Sequence, residues 1–313
     1  MIKAKILVVL ITLSILWGSS FLAIKMVIDV IPPLLSFGIR FTISGVVVLL
    51  AVVIFEKDNN KFNNLSKNQW KEALILGALI ILGGQGLLVW GAQYLSSGMT
   101  ALLNSTIPLW VAIMASLIFK QNLSKITILG LILGFAGLII LINPFTGNNN
   151  ISYMGIISLT LSSIFWAAGS LFSSKLKSSV NIFAPAGMLM LVGGIMLIIA
   201  SLAVGEFNNL HLFKVSANVL AAFSYLIFLC TAVGYIEFFW LLRVESASVA
   251  NSFAYIVPVI AVFLGWIILN EKISLQTIIA TSIIIVAVIL MVKSSSNLSN
   301  NKIRKKTNNG SSN

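Results

Sequence analysis

The sequence predicts an all-α integral membrane protein of ten transmembrane helices, arranged as two inverted-topology five-helix repeats. Three observations predict it. The 313 residues are 58% apolar and 9% charged, with a mean hydropathy of +1.04. A soluble domain carries about 25% charged residues, so this chain cannot cover its surface with polar groups, and lipid is its natural solvent. Apolar runs recur ten times between short polar stretches. Each is near the ~20 residues that cross a hydrocarbon core of roughly 30 Å at 1.5 Å per residue. Finally, the two halves of the chain superpose landmark on landmark when shifted by about 150 residues.

The runs lie at 6–27, 33–55, 72–92, 98–119, 124–143, 152–173, 181–204, 216–241, 247–269 and 274–292. The first follows Lys3 and Lys5 and begins like a secretory signal. Apolar character resumes after Ser20 at Phe21-Leu22-Ala23-Ile24, and the segment has a repeat partner in mid-chain, so it is expected to be a retained span. Lys and Arg at alternate ends of the runs divide sixteen against three, with Arg40 inside a run. By the positive-inside rule both termini are cytoplasmic, in a multi-pass protein of the cell membrane. The tail 294–313 is Ser- and Asn-rich with a basic cluster from Lys302 to Lys306, and reads as disordered. It serves either as a solvated topology signal or as a contact for anionic lipid. The formal charge of +12 therefore reflects loops and tail and implies no nucleic-acid partner.

The repeat defines the halves as 1–146 and 147–293. Glu56 falls on Glu206, Trp90 on Trp240, Pro108 on Pro258 and Gln121 on Glu271, while Trp17 falls on Trp166 at a shift of 149. An odd number of spans per half makes the second copy enter from the opposite side. Inverted repeats are a common plan of secondary transporters, with a solute site near the midplane between the halves.

Within that plan a few residues could carry chemistry. Pro108 and Pro258 stand near the middle of the fourth and ninth runs, where each removes a backbone hydrogen bond. They are either hinges flanking a central cavity or inherited packing. Thr100, Asn104 and Pro108 share one helical face, and so do Ser248, Asn251, Tyr255 and Pro258. Gln85 and Gln93 share a face of the third run, and Ser162, Trp166, Ser170 and Ser173 one of the sixth. Such faces turn away from lipid, to make interhelical hydrogen bonds worth ~0.6 kcal/mol each or to line a solute cavity.

Arg40 lies seven residues into the second run, roughly 10 Å deep. It either snorkels outward or faces the cavity and meets an anionic group or carbonyl oxygens of a solute. Glu237 is the only acid well inside an apolar run, too far from the depth of Arg40 to pair with it. It is either a proton-coupling carboxylate or an interfacial acid with a local basic partner. The lone Cys230 reads as inert packing, and His211 as a loop residue without a ligand cluster. Gly130, Gly134 and Gly137 suit close helix packing. No phosphate loop, metal-ligand spacing or nucleophile–base pair is present in the sequence, so no cofactor, metal or catalytic residue is expected.

With these residues in view, the chain resembles the EamA-type transporters of the drug/metabolite transporter superfamily. The resemblance runs from Trp17-Gly18-Ser19-Ser20-Phe21-Leu22-Ala23-Ile24-Lys25 through Pro32-Pro33 and Ile39-Arg40-Phe41. It continues with Pro108 and Pro258 and closes on Asn270-Glu271-Lys272, covering 6–292. Gln121 and Trp166-Ala167-Ala168 depart from the pattern. The resemblance implies a ten-helix inverted repeat that transports small solutes, often amino acids or other metabolites and commonly outward. Alternating access between the halves is then expected. Trp17, Arg40, Gln85, Asn104, Trp166, Asn251 and Tyr255 are the expected solute-binding residues, Pro108 and Pro258 the hinges, and Glu237 the coupling candidate. The alternatives are a membrane scaffold without flux, or a membrane-embedded enzyme, for which clustered His, Asp or Glu is lacking.

Overall fold

The computed structural model describes residues 2–55, 67–120, 124–142, 152–176, 183–209, 215–245, 247–270, 273–287 and 289–290. Ten apolar helices lie among these residues. The first half holds α1 (Ile2–Ile28), α2 (Pro33–Phe55), α3 (Lys67–Ala92), α4 (Ser97–Ile118) and α5 (Lys125–Ile142). The second holds α6 (Tyr153–Lys175), α7 (Phe183–Ala203), α8 (Ala217–Val244), α9 (Asn251–Leu269) and α10 (Leu275–Ala287). All but α5 and α10 are long and apolar enough to cross a membrane unaided by length and composition. The tail, His211, Glu56, Gln121, Glu271 and Lys272 lie outside the described residues.

The repeat is legible in the contacts. α2 and α7 cross through glycines that correspond at a shift of 149: Gly38 with Gly187, and Gly45 with Gly194. A Cβ on Gly45 would stand 2.5 Å from the Leu191 nitrogen, and one on Gly194 would stand 2.5 Å from the Thr42 nitrogen. Leu191 and Thr42 are themselves equivalent, so the crossing repeats under exchange of the halves. Only hydrogen fits there, and backbone-to-backbone approach supplies the van der Waals contact that holds helices together in lipid.

Helix ends repeat as well. Ser124 accepts the Thr127 amide at 3.1 Å to start α5, and Ser274 accepts the Thr277 amide at 3.1 Å to start α10. α4 and α9 end on left-handed residues, Lys120 at φ 50° and Asn270 at φ 54°. Gly134 packs on Leu109 and Gly137 on Ile284, so the small-residue stripe of α5 serves close packing. The Glu206 carboxylate caps α2, accepting from the Leu34 amide at 3.1 Å, the Leu35 amide at 2.9 Å and Ser201 Oγ at 2.8 Å. An anion there meets the positive end of the helix dipole.

Four helices depart from regular α geometry, two in each half. α3 is π-helical over Gly77–Gly86 and α8 over Leu226–Val233. The prolines do not kink continuous helices as expected. α4 is split between Asn104 and Ile107, and α9 begins with a 3-10 turn, Asn251–Tyr255, before the α-helix starts at Val257. Pro108 and Pro258 each stand in the first turn of the segment that follows. That is where the missing N–H costs least.

Candidate functional site

The helix irregularities converge on one place. A cavity lies where α1, α2, α3, α4, α6, α8 and α9 meet. From α1 it is lined by Trp17, Ser20, Phe21 and Ile24. α2 contributes Arg40, α3 Gln85 and Leu88, α4 Asn104 and Ile107. The second half adds Trp166, Tyr235, Phe253 and Val257. Ile107 and Val257 immediately precede the two prolines and are equivalent in the repeat, as are Trp17 and Trp166, and Gln85 and Tyr235.

Aromatic rings form most of the wall. The Trp17 ring meets Trp166 edge-on at 5.5 Å and Phe253 edge-on at 4.6 Å, and packs on Tyr235 and Phe238 at 5.5 Å each. Such offset and edge contacts suit the ring quadrupoles and fix ring positions. Two indole nitrogens are held from outside the cavity. Trp17 Nε1 donates to the Cys230 carbonyl at 2.9 Å, and Trp166 Nε1 donates to Asn251 Oδ1 at 3.1 Å.

Carbonyls of the π segments also accept side-chain hydroxyls, two from neighbouring helices and one from α8 itself. Ser162 Oγ donates to the Gly84 carbonyl at 2.6 Å. On α8, Ser44 Oγ donates to the Ile227 carbonyl at 2.8 Å, and Thr231 Oγ1 donates to the Leu226 carbonyl at 2.8 Å.

Arg40 is 2% exposed, so it does not snorkel. Its Nε donates to Thr231 Oγ1, and its guanidinium carbon sits 4.7 Å from the Phe37 ring centre and 5.2 Å from that of Phe41. Nη1 is buried and unpartnered, and so is Tyr235 Oη in the same wall. Among the described residues no carboxylate lies within ion-pair distance of Arg40. A buried unsatisfied donor costs about 1–3 kcal/mol, more when charged, and two residues of one wall carry such donors.

The EamA-like transporter family matches twice, over residues 4–143 and 153–293. The chain belongs to the EamA-like transporter family. It is 32% identical over 266 residues to the uncharacterized inner membrane transporter YedA of Escherichia coli K12, covering 85% of this chain and 83% of that one. It is 26% identical to the uncharacterized transporter YoaV of Bacillus subtilis, covering 88% of this chain and 92% of the relative. A solved crystal structure matches at a TM-score of 0.67, over 94% of this chain and 99% of that one, with 16% identity. That likeness concerns the fold alone. The protein is a multi-pass membrane transporter.

Of the residues singled out from the sequence of this EamA-like transporter, Trp17, Arg40, Gln85, Asn104 and Trp166 line one cavity. Asn251 does not: it is fully buried behind Trp166, its amide nitrogen donating to the Ala247 carbonyl at 2.7 Å. It reaches the cavity only through the indole that it holds. The side chains of Tyr255 and Ser248 lie outside the described residues. Pro108 and Pro258 adjoin the cavity through Ile107 and Val257 rather than line it. Gln93 turns to the exterior, donating to the Trp90 carbonyl at 2.8 Å.

Glu237 stands apart from the cavity. Its Oε1 accepts from Thr12 Oγ1 at 2.8 Å and its Oε2 is buried without a partner. The expected local basic partner is absent among the described residues, and a hydroxyl takes its place. Cys230 is buried, its Sγ donating to the Leu16 carbonyl at 3.2 Å. Tyr235, Phe253 and Thr231 are missing from the sequence reading. Tyr235 was within reach of it, since a shift of 150 sets it on Gln85.

Proposed function

We propose that this EamA-like protein is a secondary transporter that exports small metabolites, such as amino acids, across the cell membrane by alternating access. The single observation that carries this reading is that the cavity is walled by helices of both repeats, at the level where α4 and α9 are broken. A cavity so placed changes its opening when one body, 1–146, rocks against the other, 147–293, and both termini stay cytoplasmic. Broken helices at a midplane site are how transporters present backbone groups to a solute. Trp17, Trp166, Gln85 and Asn104 contact the solute, and Asn251 positions Trp166. Tyr255 belongs to the same proposal, in the turn that begins α9.

Glu237 is the coupling residue in this reading. An unpartnered carboxylate oxygen between α1 and α8 is the kind of group that binds and releases a proton as the packing around it changes. The experiment is flux in liposomes holding the purified protein, with a metabolite panel and an imposed pH gradient. The expected result is movement of a small set of solutes, lost in Trp166→Ala. Glu237→Gln is expected to retain counterflow while losing the response to the gradient. Liposomes that move no solute under any gradient would favour a scaffold and end the transport reading.

A further inference from the structure

The cavity has a polar pole. Arg40 on α2 and Tyr235 on α8 both line it, and each carries a buried polar atom without a partner, Arg40 Nη1 and Tyr235 Oη. Arg40 is fixed beside Tyr235 because its Nε is bonded to Thr231, four residues earlier on α8. The rings of Phe37 and Phe41 flank the guanidinium, leaving it little freedom to turn away. The rest of the wall, around Trp17, Trp166 and Phe253, is aromatic.

We propose that Arg40 Nη1 and Tyr235 Oη form a subsite for the carboxylate of a small, net-anionic solute whose remaining atoms lie against the Trp17 and Trp166 rings. The proposal rests on the transport reading in taking the bound solute as the one moved, and narrows the metabolites of that reading to net-anionic carboxylates, acidic amino acids among them.

Three observations carry it. Arg40 is the one ionised group among the described residues of the wall, so the cavity has a net positive charge. A carboxylate finds its counter-charge there, whereas the ammonium of an amine or zwitterion finds none. Arg also presents its donors as a planar fork matched to carboxylate oxygens, and a hydroxyl beside it completes the set. The second observation is an internal control. The repeat equivalents of Arg40 and Thr231 are Leu189 and Ile81, both fully buried in apolar packing. The same helix crossing is therefore built elsewhere in this fold without charge, and the cost of burying Arg40 calls for another reason. The third is preorganisation: a guanidinium already held by Thr231 and two rings loses little freedom when an anion arrives. A phosphate dianion would call for a second cation, and the described wall has none.

The test is equilibrium binding to the full chain in detergent, read by calorimetry and by thermal denaturation. The ligands are matched sets: aliphatic and aromatic monocarboxylates, their amides, their amines, the corresponding α-amino acids, and inorganic phosphate. Carboxylates are expected to bind at least tenfold more tightly than their amides and more tightly than the zwitterions. Arg40→Gln is expected to lose at least tenfold and Arg40→Lys less. Tyr235→Phe is expected to lose about threefold to tenfold while melting as the wild type does, since Oη has no partner to forfeit. Acids and amides that bind alike, a wild type that binds none of the carboxylates, phosphate as the tightest ligand, or a Tyr235→Phe protein with unchanged affinity would each overturn the subsite. Carboxylate binding without flux in liposomes would leave the subsite standing and remove transport. Flux of neutral solutes by a protein indifferent to carboxylates would do the reverse.

Discussion

Two helix crossings related by the internal repeat each involve a π-helical partner and have opposite chemistry. Where α2 meets α8, Arg40 donates to Thr231 and Ser44 donates to the Ile227 carbonyl at 2.8 Å. Where α7 meets α3, the corresponding residues are Leu189, Ile81 and Gly193, with Gly193 against the Ile81 side chain. Both arrangements exclude water and both serve a π-helical partner. The apolar copy shows what the fold needs; the polar copy holds something besides. Duplicated architecture thus separates packing from function within a single chain, a separation that a non-repeating protein does not offer.

The strongest way to break this comparison is to exchange the chemistry. Leu189→Arg would bury a guanidinium facing Ile81, with no hydroxyl to accept from it. An uncompensated buried charge costs about 3–5 kcal/mol, and this variant is expected to be lost from the membrane fraction or to melt far below the wild type. If it folds and melts normally, the crossings differ less than their side chains suggest.

Next in size is a test of what the crossings share. Gly45→Ala and Gly194→Ala each place a methyl group 2.5 Å from a backbone nitrogen of the partner helix. Overpacking of this kind costs about 1–3 kcal/mol. The two variants are expected to lower the melting temperature by similar amounts, because the clash is the same under exchange of the halves. Unequal shifts would mean that the α2–α7 axis is not a functional symmetry axis.

A smaller effect on stability, with a large one on activity, is expected when the polar crossing is made apolar. Replacing a buried polar pair by hydrophobic residues of similar volume is often neutral or stabilising. Arg40→Leu combined with Thr231→Ile should therefore melt within about 1 kcal/mol of the wild type while solute flux is lost. Retained flux would detach Arg40 from function altogether.

These residues also mark how much of the fold and site is legible in the sequence. Span positions, the repeat and the pairing of Trp17 with Trp166 follow from composition and spacing, because lipid imposes length and periodicity on a chain. Arg40 stood out for a related reason, as a charge in an apolar run needs an explanation wherever it points. The π segments were not legible: Gly77–Gly86 and Leu226–Val233 are as apolar as their neighbours, and one extra residue per turn leaves no mark on composition. A helical wheel does not place Tyr235 at the cavity, since a π turn rotates everything after it; only its repeat equivalence to Gln85 does. Asn251 shows the opposite failure. A polar residue on the right face was expected at the cavity, and the indole of Trp166 reached it first. Periodicity gives the face of a helix, not which neighbour fills the space in front of it.

The smallest expected effect sharpens the comparison at its periphery. α4 and α9 end on equivalent left-handed residues, but one is Lys120 and the other Asn270. The left-handed region suits asparagine, whose short side chain bonds locally, and is unfavourable for lysine. If the two ends are otherwise alike, Asn270→Lys should destabilise by roughly 0.5 kcal/mol, within the ~1–2 kcal/mol cost of left-handed backbone. Lys120→Asn should stabilise by about the same amount, because each exchange sets the backbone preference against a positive charge where a helix ends and its dipole is negative, an effect of ~0.3–1 kcal/mol. Thermal denaturation of the two single variants reads both numbers. Equal and opposite shifts would show that the two ends are alike, whereas a destabilised Lys120→Asn would show that charge at this helix end outweighs conformation.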